Sequence, residues 1–251
     1  MIEMIETKKV KVPQCLMFEK PFSWCPGCGY GIITRILAES IDELGIREKT
    51  MAVIGIGCFM LIDSFLNVDF FKSLHGRSPA AATGLKLAAP DKVVFTFQGD
   101  GDCASIGMSE VVHAANRGTP ITVLMVNNSM YGMTGGQMGA TTLIGEKTTT
   151  SPQGRKVSDG IPVRLPEMLQ AAEGAAYLAR VSITSPEKVM QAKKSIIKAL
   201  ECQIEERGFS YVEFLSPCPT GLKKNPPEAM TWVRDEMEKY FPIGVIKAKG
   251  C

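Results

Sequence analysis

The chain has 251 residues, of which 45% are hydrophobic and 22% charged, and its formal net charge at pH 7 is +2. This length and composition fit one ordinary globular α/β domain with peripheral extensions. The small net charge, with Lys and Arg spread along the chain, argues against a nucleic-acid-binding protein. The acidic start does not resemble a signal peptide, and the longest apolar run, 51–62, is too short to span a bilayer. We therefore expect a cytoplasmic protein with neither a nucleic-acid nor a membrane partner.

Residues 1–24 are predicted to form an irregular arm, because prolines interrupt them and neither a helical nor a strand period is sustained. After the arm, helices that end at glycine or proline alternate with short apolar strands. The predicted elements are helix 31–44, strand 51–56, helix 79–88, strand 93–97, helix 106–116, strand 121–126, strand 176–183, helix 186–206, strand 211–215 and helix 230–240. Strand–helix–strand units of this length predict an α/β fold, a parallel sheet with helices on both faces.

Residues 129–166 are rich in Gly, Thr, Ser and Pro and show almost no periodicity. A loop of this length is uncommon in a compact domain unless it covers a ligand or a partner surface. We predict that it has such a role. The chain as a whole is predicted to divide into the arm 1–24, a ligand-binding domain 25–225, and a C-terminal helix and tail 226–251.

A carboxylate follows the predicted strand 93–97 in the run Gln98-Gly99-Asp100-Gly101-Asp102. Its glycines allow the backbone to approach an anion, and the helix that follows favours phosphate at its N-terminus. The next strand ends in Asn127-Asn128, at the same edge of a parallel sheet. Carboxylate and amide oxygens suit Mg²⁺, which commonly bridges to phosphate oxygens. The alternative interpretation is a tight turn at Asp100 and a strand cap at the asparagines.

Eight cysteines in a chain without an export signal favour metal or redox chemistry over a disulfide framework. Cys25 and Cys28 form a CxxC motif, which by itself fits zinc, thiol redox chemistry or a cluster. Cys58 and Cys218 each follow a predicted strand directly, so they are expected at the same sheet edge as Asp100. Four thiolates fit either zinc or an iron–sulfur cluster. The other cysteines are interpreted as small buried hydrophobes or loose surface thiols: Cys15, Cys103, Cys202 and Cys251.

The GDG motif at 99–101 is followed, after the 25 residues 102–126, by the NN motif at 127–128. This pair of motifs at this spacing resembles the thiamine-diphosphate signature. The segments WCPGCG, GIGC, HGR with ATG, GDGD, NN with YGMTGGQ, and SPCPTG occur in that order. Together they resemble the β subunit of 2-oxoacid:ferredoxin oxidoreductases along nearly the whole chain, and the 2-oxoisovalerate branch in particular. The resemblance implies that the domain 25–225 holds thiamine diphosphate, Mg²⁺ and a [4Fe-4S] cluster.

The resemblance also implies roles for individual residues. The cluster ligands would be Cys25, Cys28, Cys58 and Cys218, and the Mg²⁺ ligands Asp100, Asn128 and the carbonyl of Met130. His75 and Arg77 would be catalytic, with His75 near the thiazolium or the substrate. The residues expected to bind the cofactor are Gly57, Cys58, His75, Gly99, Asp100, Gly101, Asp102, Asn128, Met130, Tyr131, Gly132, Met133 and Thr134. The alternative interpretations are a structural histidine, a surface arginine, and a Met133-Thr134 segment that only shapes its loop.

The activity implied is the CoA-dependent oxidative decarboxylation of a 2-oxoacid to acyl-CoA and CO₂, with electrons passing through the cluster to ferredoxin. The apolar stretch 59–65 has no Lys or Arg to pair a second carboxylate. We therefore expect a branched-chain substrate such as 2-oxoisovalerate, with 2-oxoglutarate or pyruvate as alternatives.

The sequence contains only the diphosphate half of a thiamine site. The resemblance therefore implies an α subunit with the pyrimidine-binding domain, commonly accompanied by γ and ferredoxin-like δ subunits. Two other functions stay open. The chain could be a non-redox thiamine-dependent decarboxylase or synthase subunit with a structural zinc, or a zinc-stabilised interaction subunit without the cofactor.

Overall fold

A computed structural model describes residues 12–17 and 22–251 and has a seven-stranded sheet at its centre. The strands are β1 (Thr50–Ile54), β2 (Asp69–Lys72), β3 (Val93–Gly99), β4 (Thr122–Asn127), β5 (Met130–Tyr131), β6 (Gln137–Met138), β7 (Ala175–Ser182), β8 (Phe209–Leu215) and β9 (Gly244–Ala248). The order in the main sheet is β2-β1-β3-β4-β8-β7-β9, and every pair is parallel except β7 with β9. Strands β5 and β6 form a small antiparallel pair.

Helices cover both faces of this sheet. They are α1 (Tyr30–Leu44), α2 (Ser78–Ala88), α3 (Met108–Arg117), α4 (Leu165–Leu169), α5 (Pro186–Ile204), α6 (Pro219–Leu222), α7 (Pro226–Trp232) and α8 (Glu238–Tyr240). Helices α1 and α5 pack on one face, and α2, α3 and α4 on the other. The predicted α/β class with a covered, mostly parallel sheet is therefore confirmed.

The strand residues alternate between the two hydrophobic cores. In β3, Phe95 and Phe97 contact the core that includes α1 and α5, whereas Val94 contacts the core that includes α2 and α3. Because both faces are buried, the central strands are apolar along their whole length instead of alternating with polar residues.

All of the predicted helices and strands are present, with bounds shifted by a few residues. Four strands were missed. In the main sheet these are β2 and β9, because edge strands with exposed side chains carry little hydrophobic pattern. The two-residue strands β5 and β6 and the short helices α4 and α6 are too short to show a period. The predicted helix 230–240 begins earlier, at Pro226, where Asn225 and Glu228 form a capping box, and it contains a π-helical turn at Val233–Met237. A second π-helical turn, Gly101–Ile106, precedes α3.

The two ends of the chain contribute to the central core. In the predicted arm, residues 1–11 and 18–21 lie outside the described part, but Cys15 is fully buried in the core with α1. In the predicted tail, β9 pairs with β7 and so extends the sheet. Within the described ranges, none of the helices has both the length and the apolar character that a bilayer crossing demands.

Cys202 and Cys251 form a disulfide, which corrects the expectation that both are isolated thiols. Cys202 lies on the buried side of α5, and Cys251 is the last residue of the chain. They meet only because β9 runs back along β7 and returns the chain end to α5. Since β9 was not predicted, the sequence offered no reason to pair these cysteines.

Gln203 joins α5 to two strands and provides a test of this packing. Its side-chain nitrogen donates to the Val94 carbonyl and to the Thr122 hydroxyl, each at 2.8 Å, and its oxygen accepts from the Val94 N–H at 2.6 Å. We predict that Gln203→Met lowers the free energy of unfolding by about 2–4 kcal/mol, because two buried backbone groups lose their partner. Urea denaturation followed by circular dichroism measures this. The control is Gln170→Met at an exposed position, and equal losses in the two variants would contradict the prediction.

Candidate functional site

A cavity opens at the carboxyl ends of β1, β3 and β4. Every residue of the predicted cofactor-binding set lines it, together with Tyr30, Ile56 and Phe59. The strand register explains this convergence, because Ile54 of β1 is opposite Phe97 of β3. The three strands therefore end at one level, and the polar residues that follow them meet at one edge of the sheet.

Asp100 follows β3 and is almost fully buried, with 3% of its surface exposed. The Thr141 hydroxyl donates to its Oδ2 atom. In the described part of the chain, no basic side chain forms an ion pair with Asp100, and burial raises the pKa of its carboxyl to about 7. A buried carboxylate without a protein cation fits a divalent metal ligand, because the metal would supply the missing positive charge.

The other two predicted Mg²⁺ ligands lie on either side of a sharp turn after β4. Ser129 has a φ of +63°, a left-handed conformation that is uncommon outside glycine. The Asn128 side-chain oxygen accepts from the Met130 N–H at 3.4 Å, and both residues line the cavity with Asp100. Carboxylate, amide and carbonyl oxygens are the ligands that Mg²⁺ prefers, so the residues present fit this metal.

Of the four predicted thiol ligands, Cys58 lines the same cavity. The CxxC segment turns tightly at Gly27, which has a φ of +77°, and the Cys28 N–H donates to the Cys25 carbonyl at 3.0 Å. The Trp24 ring nitrogen donates to the Cys58 carbonyl at 2.8 Å. The CxxC segment is thereby joined to the loop that follows β1.

Gly132 lies beside two of these thiols. A Cβ atom placed on Gly132 would lie 3.4 Å from the Cys218 sulfur and 3.9 Å from the Cys58 sulfur. Gly132 itself lines the cavity, next to Asn128 and Met130. The thiols and the oxygen ligands are therefore neighbours across a single backbone segment.

Neighbouring cysteines raise the pKa of one another's thiols. Burial, with the neighbouring cysteines, raises the pKa of Cys28 to about 12 and that of Cys218 to about 11. Among the residues that the structure describes, no three His, Cys, Asp or Glu side chains lie close enough together to hold one metal ion. A four-iron cluster spaces its thiolates more widely than one ion does. Cys25, Cys58 and Cys218 all contribute to the raised pKa of Cys28, so the four thiols lie near one another, and four thiolates are a ligand set that fits a [4Fe-4S] cluster.

His75 is held by a buried carboxylate. Its Nδ1 atom lies 2.5 Å from Asp102 Oδ1, which also accepts from the Gly76 N–H at 2.7 Å, while Gln98 donates to Asp102 Oδ2 at 2.5 Å. An acceptor of this kind places a proton on Nδ1 and leaves Nε2 for a bound molecule. Asp102 lines the cavity, as predicted, but its side-chain oxygens are engaged by protein groups.

The structure separates Arg77 from His75. The Arg77 guanidinium pairs with Glu110 and is exposed, and Arg77 does not line the cavity. Arg77 therefore lies outside the cavity of this chain, because the packing of α2 beside α3 directs its side chain to the surface, and its catalytic role stays a prediction. Met133 and Thr134 line the cavity but are exposed, and Thr134 donates to Gln137 at 2.7 Å.

The long loop contributes buried polar groups that the sequence did not reveal. Glu146 accepts from the Ser129 hydroxyl at 2.5 Å and from the Leu143 N–H at 2.8 Å. Arg155 donates to four backbone carbonyls of residues 139, 140, 142 and 160. These contacts fix the path of the loop, and no local pattern marks either residue. The loop contacts Asp100 through Thr141, which supports the predicted role in covering a ligand.

Comparison with known proteins agrees with this arrangement. Residues 46–214 match the family described as thiamine pyrophosphate enzyme, C-terminal TPP binding domain. The ketoisovalerate oxidoreductase subunit VorA of Methanothermobacter thermautotrophicus is 42% identical over 88% of this chain and 46% of its own length. The chain thus spans about half the length of that relative. The 2-oxoglutarate synthase subunit KorB of Methanocaldococcus jannaschii is 39% identical over 86% of this chain and 78% of its own length.

Two solved structures are also similar. The 2-oxoglutarate:ferredoxin oxidoreductase from Magnetococcus marinus, with 2-oxoglutarate, coenzyme A and succinyl-CoA bound, has a TM-score of 0.77 at 28% identity, over 100% of this chain and 89% of the matched chain. A thiamine diphosphate-dependent 4-hydroxybenzoylformate decarboxylase from Rhodococcus jostii has a TM-score of 0.51 at 16% identity, over 79% of this chain and 34% of its own. The second similarity concerns the fold alone.

The buried Glu146 carboxyl should make stability depend on pH. Burial is the main reason that its pKa lies at about 8, above the ordinary 4.5. The protonated form is therefore favoured in the folded state, and this stabilisation is complete below about pH 4.5 and is lost as the pH rises through 8. We predict that Glu146→Gln, which cannot ionise, becomes progressively more stable than the unaltered protein between pH 5 and pH 8.

Urea unfolding without Mg²⁺ and thiamine diphosphate, repeated across this pH range, measures the difference. The exposed Glu173→Gln is the control, and its difference from the unaltered protein should stay nearly constant. A Glu146→Gln difference that is equally flat would contradict the prediction.

Proposed function

The chain belongs to the thiamine-diphosphate-dependent 2-oxoacid:ferredoxin oxidoreductase family, and from this membership we propose that it binds the diphosphate end of the cofactor and passes electrons to a cluster of its own. The observation that supports this proposal best is that one cavity is lined by the buried Asp100, by Asn128 and Met130 on either side of the turn, and by Cys58, with the Cys218 sulfur beside Gly132. A non-redox thiamine enzyme would need only the first two of these features.

Each side chain has a distinct part in this proposal. Asp100, Asn128 and the Met130 carbonyl would hold Mg²⁺, and the glycines beside Asp100 would let the diphosphate approach the backbone. The four cysteines of the predicted set would hold a [4Fe-4S] cluster. When bound, thiamine diphosphate supplies an electron sink for decarboxylation and the cluster a one-electron acceptor.

His75 would act on the bound 2-oxoacid. Asp102 fixes the ring through Nδ1, so Nε2 is the nitrogen that would hold or move a proton at the substrate oxygen. The burial of Asp102 keeps this orientation independent of solvent, because water does not compete for its oxygens. Coenzyme A would then take the acyl group, and ferredoxin the electrons.

We propose a branched-chain 2-oxoacid as the substrate. The apolar side chains of Ile56, Phe59 and Met133 form part of the cavity lining, and in the described part of the chain this lining contains neither Lys nor Arg. A second carboxylate would therefore lack a cationic partner from this chain. The name of the relative that is 42% identical, ketoisovalerate oxidoreductase, supports this choice. The 2-oxoglutarate synthase relatives make 2-oxoglutarate the second candidate, ahead of pyruvate.

A further protein segment should cover the cavity. Large apolar side chains near its mouth are exposed, with Ile56 at 48%, Leu74 at 77%, Ile106 at 47% and Met133 at 46%. Exposed apolar groups gathered at one place are typical of a protein interface. We propose that a pyrimidine-binding domain, on an α subunit, packs here, and that γ and ferredoxin-like δ subunits join the assembly.

Two substitutions separate the proposed metal centres. We predict that Cys218→Ala, at a predicted cluster ligand outside the cofactor-binding set, abolishes bound iron and acid-labile sulfide but retains Mg²⁺-dependent thiamine diphosphate binding. Asp100→Asn should abolish Mg²⁺-dependent thiamine diphosphate binding but retain iron and acid-labile sulfide, because it removes a charge that Mg²⁺ requires and leaves the thiols in place. Iron, sulfide, zinc and thiamine diphosphate are determined per chain in protein purified anaerobically with its partners.

The control for these measurements is Cys15→Ala, a buried cysteine outside the predicted set, which should retain both groups. Zinc without sulfide in the unaltered protein would rule out the electron-transfer function. A structural-zinc enzyme would then remain, provided that thiamine diphosphate still binds.

Substrate choice is tested with the same purified assembly. We predict that kcat/KM for CoA-dependent reduction of ferredoxin is at least about tenfold higher with 2-oxoisovalerate than with 2-oxoglutarate, because the second carboxylate would lose its water without gaining a cation. Pyruvate is measured in parallel to separate the effect of side-chain size from that of charge. A preference for 2-oxoglutarate would overturn the substrate proposal and leave the family assignment intact.

A further inference from the structure

A buried ion pair joins β7 and β8, away from the cavity lining. Arg180 of β7 and Glu213 of β8 are opposite each other in the strand register, and their side chains are 0% and 1% exposed. Arg180 Nε donates to Glu213 Oε2 at 2.8 Å. Burial of two charges is costly unless their remaining hydrogen-bonding positions are satisfied, so the other partners of this pair are informative.

The second oxygen of Glu213 accepts a hydrogen bond from the last residue of β4, which directly precedes the proposed Mg²⁺ ligands. Glu213 Oε1 accepts from the side-chain nitrogen of Asn127 at 2.7 Å, and Asn127 Oδ1 accepts from the Ser129 N–H at 3.0 Å. A continuous series of hydrogen bonds therefore runs from Arg180 through Glu213 and Asn127 to the backbone of Ser129. We call these four residues the anchor network.

The anchor network ends at the turn that needs support. Ser129 has the left-handed φ of +63°, and the proposed Mg²⁺ ligands Asn128 and Met130 are its two neighbours. The bond from the Ser129 N–H to Asn127 closes the turn in the manner of an Asx-turn. Closing it requires that the oxygen of the Asn127 amide, and not its nitrogen, faces Ser129.

Glu213 determines which way that amide faces. A carboxylate only accepts hydrogen bonds, so the Asn127 nitrogen must point to Glu213 and the oxygen to Ser129. We infer that Glu213 is a positioning residue for the Mg²⁺ site, acting through Asn127 to hold the turn that presents Asn128 and Met130. This inference rests on the proposed function, and it explains a buried carboxylate that takes no part in the cavity itself.

Glu167 provides a matched comparison. Its two oxygens accept from Arg180 Nη1 and Nη2, each at 2.7 Å, so it binds the same cation as Glu213. It has no hydrogen bond with Asn127 among those the structure describes. Loss of either glutamate charge removes a negative partner of the buried Arg180 guanidinium. Of the two glutamates, however, Glu213 is the one that is hydrogen-bonded to Asn127 and so is connected to the turn.

Glu213→Gln should reverse the Asn127 amide. The single oxygen of the new side chain is drawn to the Arg180 charge, so its amide nitrogen faces Asn127 and makes the Asn127 oxygen the better partner. The Asn127 side-chain nitrogen then faces the Ser129 N–H. Because both groups are donors, the hydrogen bond that closes the turn is lost. In the double variant Glu213→Gln with Asn127→Asp, one aspartate oxygen accepts from the new amide and the other accepts from Ser129, which restores the turn.

The test is the Mg²⁺ dependence of thiamine diphosphate binding by the full chain with its partners, measured by calorimetry beside the thermal midpoint. We expect Glu213→Gln to raise the apparent Kd for Mg²⁺ about tenfold, as the loss of one buried hydrogen bond implies. Glu167→Gln should lower the midpoint but leave that Kd within about twofold. The double variant should recover most of the lost Mg²⁺ affinity.

Equal Mg²⁺ affinities in the Glu213→Gln and Glu167→Gln variants, or a double variant no better than the single one, would overturn the inference. If Glu213→Gln does not fold, Asn127→Ala breaks the same series of bonds while Arg180 keeps its carboxylate partners, and the same loss of affinity is expected. Failure of the unaltered protein to bind thiamine diphosphate with Mg²⁺ would instead overturn the proposed function, and this inference with it.

Discussion

The common level at which the parallel strands end is the constraint on which the site depends. Helices cover both faces of the sheet, so its edge is the place left for polar chemistry. The register between β1 and β3 brings Cys58 and Asp100 to that edge, and the register between β3 and β4 brings Asn128 there. A slip of one residue in any of these pairs would turn the proposed ligands away from one another. The apolar strands therefore determine the geometry of the site as much as the polar residues do.

The residues that could be predicted were those next to strong local patterns. Asp100, Asn128 and Cys58 each follow a buried strand, so a correct strand boundary was sufficient to place them. Arg77 shows the limit of this reasoning, because the sequence fixes its position in the chain but not the direction of its side chain, which the packing of α2 on α3 turns toward Glu110.

Thr141 and Glu146 could not be found in this way. They reach the site from a loop without periodicity, and its path depends on hydrogen bonds that Arg155 makes with distant carbonyls. Such long-range pairing leaves no local signal in the sequence. The disulfide between Cys202 and Cys251 could not be predicted for the same reason, because it depends on the long-range pairing of β9 with β7.

Gly132 limits which residues can be accepted beside the cavity. A Cβ atom at this position would lie 3.4 Å from the Cys218 sulfur, 3.7 Å from the Asn128 side-chain nitrogen and 3.9 Å from the Cys58 sulfur, all ordinary contact distances. Alanine would therefore fit without displacing any of them, whereas a longer side chain would compete with them for space. If the proposed function holds, the tolerance for size at this one position is what keeps bulk out of the space between the cofactor and the cluster.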